Sequence, residues 1–190
     1  MTKSILLVGV GGQGTILASK LLTIGLMQSG HDVKMSEIHG MSQRGGSVSS
    51  QVRYGEKVHS PVIELGGADI LVSFEKMEAL RWLEYLNPQG KVVVNDYQVN
   101  PMPVVSGMAD YSGEILSELK AKAKDITVVN AFEEAMALGN PKVLNIVLLG
   151  TIVKMMSLTD INWNEIIKSE VKANFVDINQ KALARGLELV

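Results

Sequence analysis

ILLVGVGGQG, residues 5–14, is the stretch that decides the fold of this chain. Its first half is a run of leucine and β-branched side chains, which is typical of a buried strand, and a helical pattern of apolar residues follows it. Between the two, Gly9, Gly11 and Gly14 match the pattern G-x-G-x-x-G, whose missing side chains permit a tight turn and a close approach of helix or phosphate. The stretch therefore predicts the strand–turn–helix unit that opens a Rossmann-like α/β fold.

The glycine turn, residues 9–14, is open to two interpretations at this point. It can hold the phosphates of a dinucleotide at the start of the helix, with Glu37 near the end of the second predicted strand, where an acid would meet ribose hydroxyls. Alternatively, the glycines, Gly12 included, serve only close strand–helix packing, since a single motif of this kind is weak evidence. Gln13 belongs to the same ligand or packing site, and for it we favour a hydrogen bond that opens the helix or holds the neighbouring loop over contact with a ligand.

The rest of the chain alternates between strand-like and helix-like segments. Apolar runs predict strands at residues 5–8, 32–35, 47–54, 69–74, 91–95 and 126–129, and helical periodicity predicts helices at 13–28, 76–86, 112–123, 142–156, 165–171 and 175–187. Gly55 and Glu56 are expected to turn the strand at 47–54 toward residues 57–63 as a hairpin. We predict one domain over residues 1–190, with a mostly parallel Rossmann-like sheet, helices on both faces and an inserted hairpin.

Composition excludes several classes of function. The chain has 18 Lys and Arg residues and 20 Asp and Glu residues, and no block of like-charged residues. Neither nucleic acid nor an anionic membrane is therefore an expected partner. The chain has no cysteine and only three histidines, so it lacks thiolates for an iron–sulfur cluster, and no metal site is expected on it. The first residues lack a signal-peptide pattern and no apolar run is long enough to span a bilayer, so we expect a cytoplasmic protein.

A second motif, SEIHGMSQRGGSV at residues 36–48, combines charge, amide, imidazole and glycines in a segment too irregular for a core. We call it the signature segment, and we expect it to meet the glycine turn at one edge of the sheet. Arg44 is the side chain best suited to an anion, because guanidinium pairs bidentately with carboxylate or phosphate. The alternative is a structural ion pair with Glu37.

These two motifs carry a resemblance to a known family. The order GVGGQG at 9–14, EIHGMSQRGGSV at 37–48 and Val52-Arg53 resembles the gamma subunit or domain of the 2-oxoacid:ferredoxin oxidoreductases, and the resemblance spans nearly the whole chain. Within that family, VHSP at 58–61, ADIL at 68–71 and FEKMEALR at 74–81 are most similar to the beta, gamma-type, subunits of the indolepyruvate branch. Pyruvate, 2-oxoglutarate and branched-chain relatives remain the alternatives within the family.

The resemblance implies a division of labour. Thiamine diphosphate, magnesium and iron–sulfur clusters are expected on a large partner subunit, which decarboxylates a 2-oxoacid, passes electrons to ferredoxin and transfers the acyl group to coenzyme A. The present chain has no Gly-Asp-Gly motif and no cysteine, so we expect no catalytic residue and no cofactor on it. A nicotinamide-dependent dehydrogenase and a freestanding binding module are the alternatives of another class.

The resemblance also places residues of the signature segment near the approach of substrate or coenzyme A, or at the partner interface. These are Glu37, His39, Gly40, Met41, Ser42, Gln43, Arg44 and Gly45. Simpler roles compete with this one: His39, Ser42 and Gln43 can satisfy loop backbone, Met41 can fill a core, and the glycines can serve backbone geometry. Elsewhere, Asn145 is expected to satisfy a buried backbone group, and Asp96 is a candidate polar contact at the sheet edge.

Overall fold

The computed structural model describes residues 2–39 and 45–190, and only the backbone of His39. The strands are β1 Lys3–Val10, β2 Asp32–His39, β3 Ser47–Gly55, β4 Ala68–Ser73, β5 Leu86–Asn95 and β6 Asp125–Val129. The helices are α1 Thr15–Gln28, α2 Lys76–Arg81, α3 Met102–Val105, α4 Ile115–Lys122, α5 Ala131–Ala137, α6 Leu144–Met155, α7 Trp163–Glu170 and α8 Val176–Glu188. Short 3-10 turns lie at Leu83–Tyr85, Pro141–Val143 and Ala173–Phe175.

The strands form one sheet in the order β2-β3-β1-β4-β5-β6. β1, β4, β5 and β6 are parallel neighbours, while β3 runs antiparallel to both β1 and β2. Five of the six strands therefore point the same way, and their carboxyl ends share one edge of the sheet. This confirms the predicted mostly parallel α/β fold.

The hairpin differs from its prediction. β3 pairs with β2 and β1, and residues 57–63 form no strand. Side chains of the neighbouring strands already bond the backbone of this segment: Asp32 accepts from the Val58 N–H at 2.8 Å, and Gln51 accepts from the Ile63 N–H at 2.6 Å. Arg53 donates to two carbonyl groups between them. With these groups bonded, the segment packs as a loop, and β3 finds its hairpin partner in β2.

The region after α2 also differs. The helix expected over residues 76–86 ends at Arg81, and a 3-10 turn follows. β5 begins at Leu86 and includes residues 87–90, which lie between the predicted helix and the strand predicted at 91–95. Ala68 pairs with Leu86, and the register then shifts before Ile70 pairs with Lys91. Gly90 lies so close to β4 that an added Cβ would stand 2.8 Å from the Ala68 carbonyl oxygen. Pairing with β4 therefore extends the strand through a sequence rich in turn residues.

Helices cover both faces of the sheet. One face carries Ile5, Leu7 and Val72 under α1 and α5 to α8, and the other carries Leu6 and Leu71 under α2 and α4. The α6 helix, whose apolar residues surround most of its circumference, is buried within this chain from Leu144 to Val153. Its apolar surface is therefore no argument for a partner subunit. In the described residues, no helix is long and apolar enough to cross a membrane.

Candidate functional site at the carboxyl edge of the sheet

The glycine turn and the signature segment meet as expected. The Gly11 N–H donates to the Gly46 carbonyl at 2.8 Å, and the Gly45 N–H donates back to the Gly11 carbonyl at 3.3 Å. Gly12, Gly14 and Gly45 have φ values of 103°, 82° and 77°, which side-chain-bearing residues rarely adopt. Backbone geometry therefore accounts for these three glycines, and the two motifs form a single structural unit.

Side chains of the chain itself fill the inside of the turn. Gln13 closes it, accepting from the Val10 N–H at 2.7 Å and donating to the Phe74 carbonyl at 3.0 Å. An added Cβ on Gly9 would lie 2.8 Å from the Gln13 Oε1, and one on Gly14 would lie 2.7 Å from the Asn145 Nδ2. Asn145 donates to the Gly14 carbonyl at 3.1 Å, so it satisfies backbone as expected. Gly9 and Gly14 thus serve close packing.

Glu37 does not occupy the position of a ribose-binding acid. In a dinucleotide-binding unit β2 lies beside β1, whereas here β3 separates them, which places β2 about 4.8 Å farther from the glycine turn. One Glu37 oxygen accepts a hydrogen bond from the Ser19 hydroxyl of α1 at 2.9 Å. The inserted strand and this contact both argue against the dinucleotide interpretation.

A cleft remains beside the turn, on the face covered by α1. It encloses about 410 Å³, and its aromatic wall is Tyr97 and Phe132, whose ring centroids lie 4.9 Å apart. Lys142 supplies a positive charge, and α1 begins at the cleft without a side-chain cap, an arrangement that favours a negatively charged group. The remaining lining residues are Gly12, Gln13, Gly14, Pro141 and Leu144.

Two buried carboxylates lie on the opposite face, at the start of α2. Glu75, 1% exposed, caps this helix by accepting from the Glu78 N–H at 3.0 Å. Its other oxygen accepts from the Val99 N–H at 3.2 Å and from the Tyr111 hydroxyl. Burial, and then the hydrogen bond to Glu75, raise the pKa of Tyr111 far above its usual range, which keeps this donor protonated. Glu75 therefore ties α2 to both ends of the segment at residues 99–111.

Glu78, 4% exposed, connects α2 to the end of the signature segment. Its Oε2 accepts from the Ser47 hydroxyl, which in turn lies 3.4 Å from the donating Trp82 Nε1. The Arg81 Nε lies 3.5 Å from the other oxygen. Burial raises the pKa of Glu78, while the Ser47 bond and the Arg81 charge act in the opposite direction.

Asn95, Glu75 and Glu78 lie at the site in the structure but were not predicted from the sequence. Asp96 was expected at the sheet edge, but it pairs with Lys76 at 3.0 Å on the surface. Its neighbour Asn95, fully buried, instead donates to the Phe74 carbonyl at 3.2 Å and accepts from the Ala131 N–H at 2.9 Å. Successive side chains of a strand point to opposite faces of the sheet, and a short apolar run does not show which face a given residue takes. Glu78 had a signal, since acidic residues are common in the first turn of a helix, whereas Glu75 is not one of the residue types that usually cap a helix.

The remaining expectations for the signature segment lie outside the described residues. They concern Gly40, Met41, Ser42, Gln43 and Arg44, and the side chain of His39. Within the ranges 2–39 and 45–190, no three His, Asp or Glu side chains are grouped to hold a metal ion. Because the sequence has no cysteine, its residues do not suit the thiolate ligation of an iron–sulfur cluster.

Comparison with known families identifies the fold. The family model described as "Pyruvate ferredoxin/flavodoxin oxidoreductase" matches residues 4–189. The chain belongs to this family. The resemblance drawn from the glycine turn and the signature segment is thereby confirmed, and the family match extends over all the described strands and helices except the first residue of β1.

Curated relatives within the family differ in similarity. The chain is 37% identical to the indolepyruvate oxidoreductase subunit IorB of Archaeoglobus fulgidus, over 98% of this chain and 94% of the relative. It is 35% identical to the subunit of the same name from Thermococcus kodakarensis, over 97% and 94%. Identity falls to 24% with the pyruvate/ketoisovalerate oxidoreductases common subunit gamma of Pyrococcus furiosus, over 95% and 92%.

Solved structures share the fold. The keto/oxoacid ferredoxin oxidoreductase gamma subunit from Geobacter sulfurreducens matches with a TM-score of 0.76 and 23% identity, covering 100% of this chain and 96% of that one. The 2-oxoglutarate:ferredoxin oxidoreductase from Magnetococcus marinus matches with a TM-score of 0.75 and 14% identity, over 99% of this chain but 31% of that one. In that enzyme the fold is thus one part of a longer polypeptide.

Proposed function

We propose that this chain is the non-catalytic beta, gamma-type, subunit of an indolepyruvate-type 2-oxoacid:ferredoxin oxidoreductase. The observation that carries the proposal is the 37% identity to the IorB subunit over 98% of the chain, against 24% to a pyruvate/ketoisovalerate gamma subunit. The complex would oxidatively decarboxylate aryl-2-oxoacids to acyl-coenzyme A and reduce ferredoxin. The gamma subunit of a pyruvate, 2-oxoglutarate or branched-chain enzyme is the less supported alternative.

The chemistry of the chain supports a division of labour between subunits. Without cysteine it supplies no thiolates for iron–sulfur clusters, and it has no Gly-Asp-Gly motif for a metal-bound diphosphate. A large partner subunit would therefore carry thiamine diphosphate, magnesium and the clusters. The contribution of this chain would be assembly of the complex and the shape and charge of one wall of the approach taken by substrate or coenzyme A.

The carboxyl edge of the sheet is the part of the chain that we assign to this role. The glycine turn and Gly45 form one hydrogen-bonded unit there, and the adjoining cleft has the positive charge of Lys142 and the uncapped start of α1. Both features favour a carboxylate or a phosphate. We assign Arg44 of the signature segment to the same kind of anionic group.

Reconstitution tests the proposal. The purified chain should give no electron transfer with indolepyruvate, coenzyme A and an electron acceptor, and turnover should appear when a large subunit that carries thiamine diphosphate and iron–sulfur clusters is added. Co-elution of the two chains and comparison with pyruvate and 2-oxoglutarate then separate the branches of the family. Turnover by the purified single chain would refute the non-catalytic role, and preference for another 2-oxoacid would refute the indolepyruvate assignment.

Two further measurements address the alternatives. Calorimetric titration of the single chain with NAD or NADP should show no binding, and a micromolar dissociation constant, about −8 kcal/mol, would restore the dehydrogenase interpretation. In the assembled complex, Arg44→Ala should raise the Michaelis constant for the 2-oxoacid or coenzyme A by roughly ten- to hundredfold, because a charge-assisted bond is lost. If Arg44 is instead the partner of Glu37, either single substitution should weaken assembly, without a further loss in the double variant.

A further inference from the structure

Ser47 connects the two sides of the sheet at the carboxyl edge. Its backbone pairs with Val10, which is the last residue of β1 and the second residue of the glycine turn. Its hydroxyl reaches the opposite face, where it donates to Glu78 and accepts from Trp82. The preceding residue, Gly46, accepts the hydrogen bond of the Gly11 N–H. A short path therefore connects Glu78 to the glycine turn: the hydrogen bond from Ser47 to Glu78, the peptide bond between Gly46 and Ser47, and the hydrogen bond from Gly11 to Gly46.

The far end of this path is firmly held. Glu75 accepts from the Glu78 N–H, so the buried cap of α2 orients the residue that bonds Ser47. The same Glu75 bonds Val99 and Tyr111, which belong to a different part of the chain. A buried carboxylate that loses a hydrogen-bond donor is left partly unsatisfied, which costs free energy. This cost favours the conformation in which Glu78 is bonded to Ser47.

We propose that Glu78 is a positioning residue, which sets the placement of the glycine turn through Ser47 and Gly46. The kinetic consequence of this inference rests on the proposed function. In that function, the wall that faces substrate or coenzyme A is positioned by a carboxylate on the other face of the sheet. The structural part of the inference is independent of which 2-oxoacid the complex uses.

Substituting Gln at Glu78 distinguishes positioning from simple stability. Glu78→Gln retains size and a carbonyl oxygen that accepts from Ser47, whereas Glu78→Ala and Ser47→Ala remove the bond. Matched controls are Glu84→Gln, at an exposed carboxylate, and Ser169→Ala, whose hydroxyl bonds the Ile166 carbonyl within α7 at 2.9 Å.

The first measurement is amide hydrogen exchange of the full chain by NMR, with the Gly11 N–H as reporter. Ser47→Ala and Glu78→Ala should speed its exchange by about tenfold or more, with the double variant no faster than either single one. Glu78→Gln and both controls should stay near the wild-type rate. Unchanged Gly11 exchange in a folded Ser47→Ala chain would overturn the proposal, even if Glu78→Ala fails to fold.

The second measurement uses the assembled complex. Ser47→Ala should raise the Michaelis constant for the 2-oxoacid or coenzyme A by about tenfold at similar kcat, whereas Glu78→Gln, which keeps the acceptor for Ser47, should retain the wild-type value. An equal fall in the amount of complex and in activity, with wild-type Michaelis constants, would reveal a structural role only and overturn the positioning role. If the wild-type complex shows no 2-oxoacid turnover at all, the proposed function fails, while the exchange data still decide whether Glu78 places the turn.

Discussion

Both faces of the sheet bury apolar side chains, but the face of α2 and α4 also carries two buried carboxylates. On the face of α1, α6 and α8, side chains such as Leu22, Ile146 and Leu148 are fully buried, and α6 and α8 cross at two glycines, Gly150 and Gly186. On the other face, α2 is joined to its surroundings by the buried carboxylates Glu75 and Glu78. Apolar burial is strong but without direction, whereas hydrogen bonds to carboxylates fix position. Apolar burial therefore stabilises both faces, and on the second face the carboxylates also fix the position of the sheet edge.

The largest effect should come from the helix crossing on the apolar face. Alanine is the better helix former by about 1 kcal/mol, so Gly186→Ala would be stabilising in an isolated helix. In this fold the new Cβ would stand 1.9 Å from the Val147 carbonyl oxygen and 2.9 Å from the Gly150 Cα. Both are backbone atoms, so α6 and α8 must move apart. We expect a loss of more than about 3 kcal/mol in the free energy of unfolding, or no folded protein, measured by denaturant titration.

Gly113→Ala is the matched control for this substitution. A Cβ at Gly113 meets no heavy atom within 4 Å, and the backbone there does not have a positive φ. The free energy of unfolding should change by no more than about 0.5 kcal/mol. Equal stabilities for the two alanine variants would show that the α6–α8 contact is not as close as the structure places it.

Sequence patterns predicted the apolar face better than the polar one, for a physical reason. The helix predicted at residues 142–156 follows from the spacing of its own apolar residues, and the structure places α6 there. Such signals are local. The close approach that requires glycine at Gly186 depends instead on a helix distant in sequence, and no pattern within α8 indicates it.

The polar side of the site depends even more on distant contacts. The pairing of β3 with β2 and β1 was missed, because residues 57–63 satisfied the sequence criteria for a hairpin but are bonded by side chains of other strands. The signature segment was found from composition, and its meeting with the glycine turn was correctly predicted. The contact between Glu78 and Ser47 was not predicted, because Ser47 belongs to the signature segment and is distant in sequence from Glu78.

A medium effect is expected at Gln13, which connects the glycine turn of β1 to the end of β4. Gln13→Ala removes an acceptor from the Val10 N–H and a donor from the Phe74 carbonyl, although Asn95 still bonds that carbonyl. The free energy of unfolding should fall by about 1–3 kcal/mol, measured by denaturant titration. Gln98→Ala, at an exposed side chain that bonds its near neighbour Asn100, is the control and should be close to neutral. A neutral Gln13→Ala would mean that water replaces the amide at no cost, and the turn would then be open to solvent.

The smallest effect concerns pH and the carboxylate face alone. Because burial raises the pKa of Glu78, the folded chain binds the proton more tightly than the unfolded chain, and protonation stabilises the fold. This contribution is fully present below the pKa of an unfolded glutamate and is lost as pH rises through the higher pKa of the folded state. Glu78→Gln removes the titration while Ser47, Trp82, Glu75 and Arg81, the groups around it, stay the same.

The direction of the effect can be measured by thermal melts of wild type and Glu78→Gln from about pH 4 to pH 7. The melting temperature of the variant relative to wild type should increase as pH rises, because only the wild-type chain must bury a charge at position 78 at the higher pH. Glu84→Gln, at an exposed position, should show an almost constant difference over the same range. A Glu78→Gln difference that falls with pH would mean that Ser47 and Arg81 stabilise the ionised carboxylate by more than its burial costs. Glu78 would then hold the edge of the sheet as a bound anion, and its neutral amide would no longer be a faithful substitute in the positioning test.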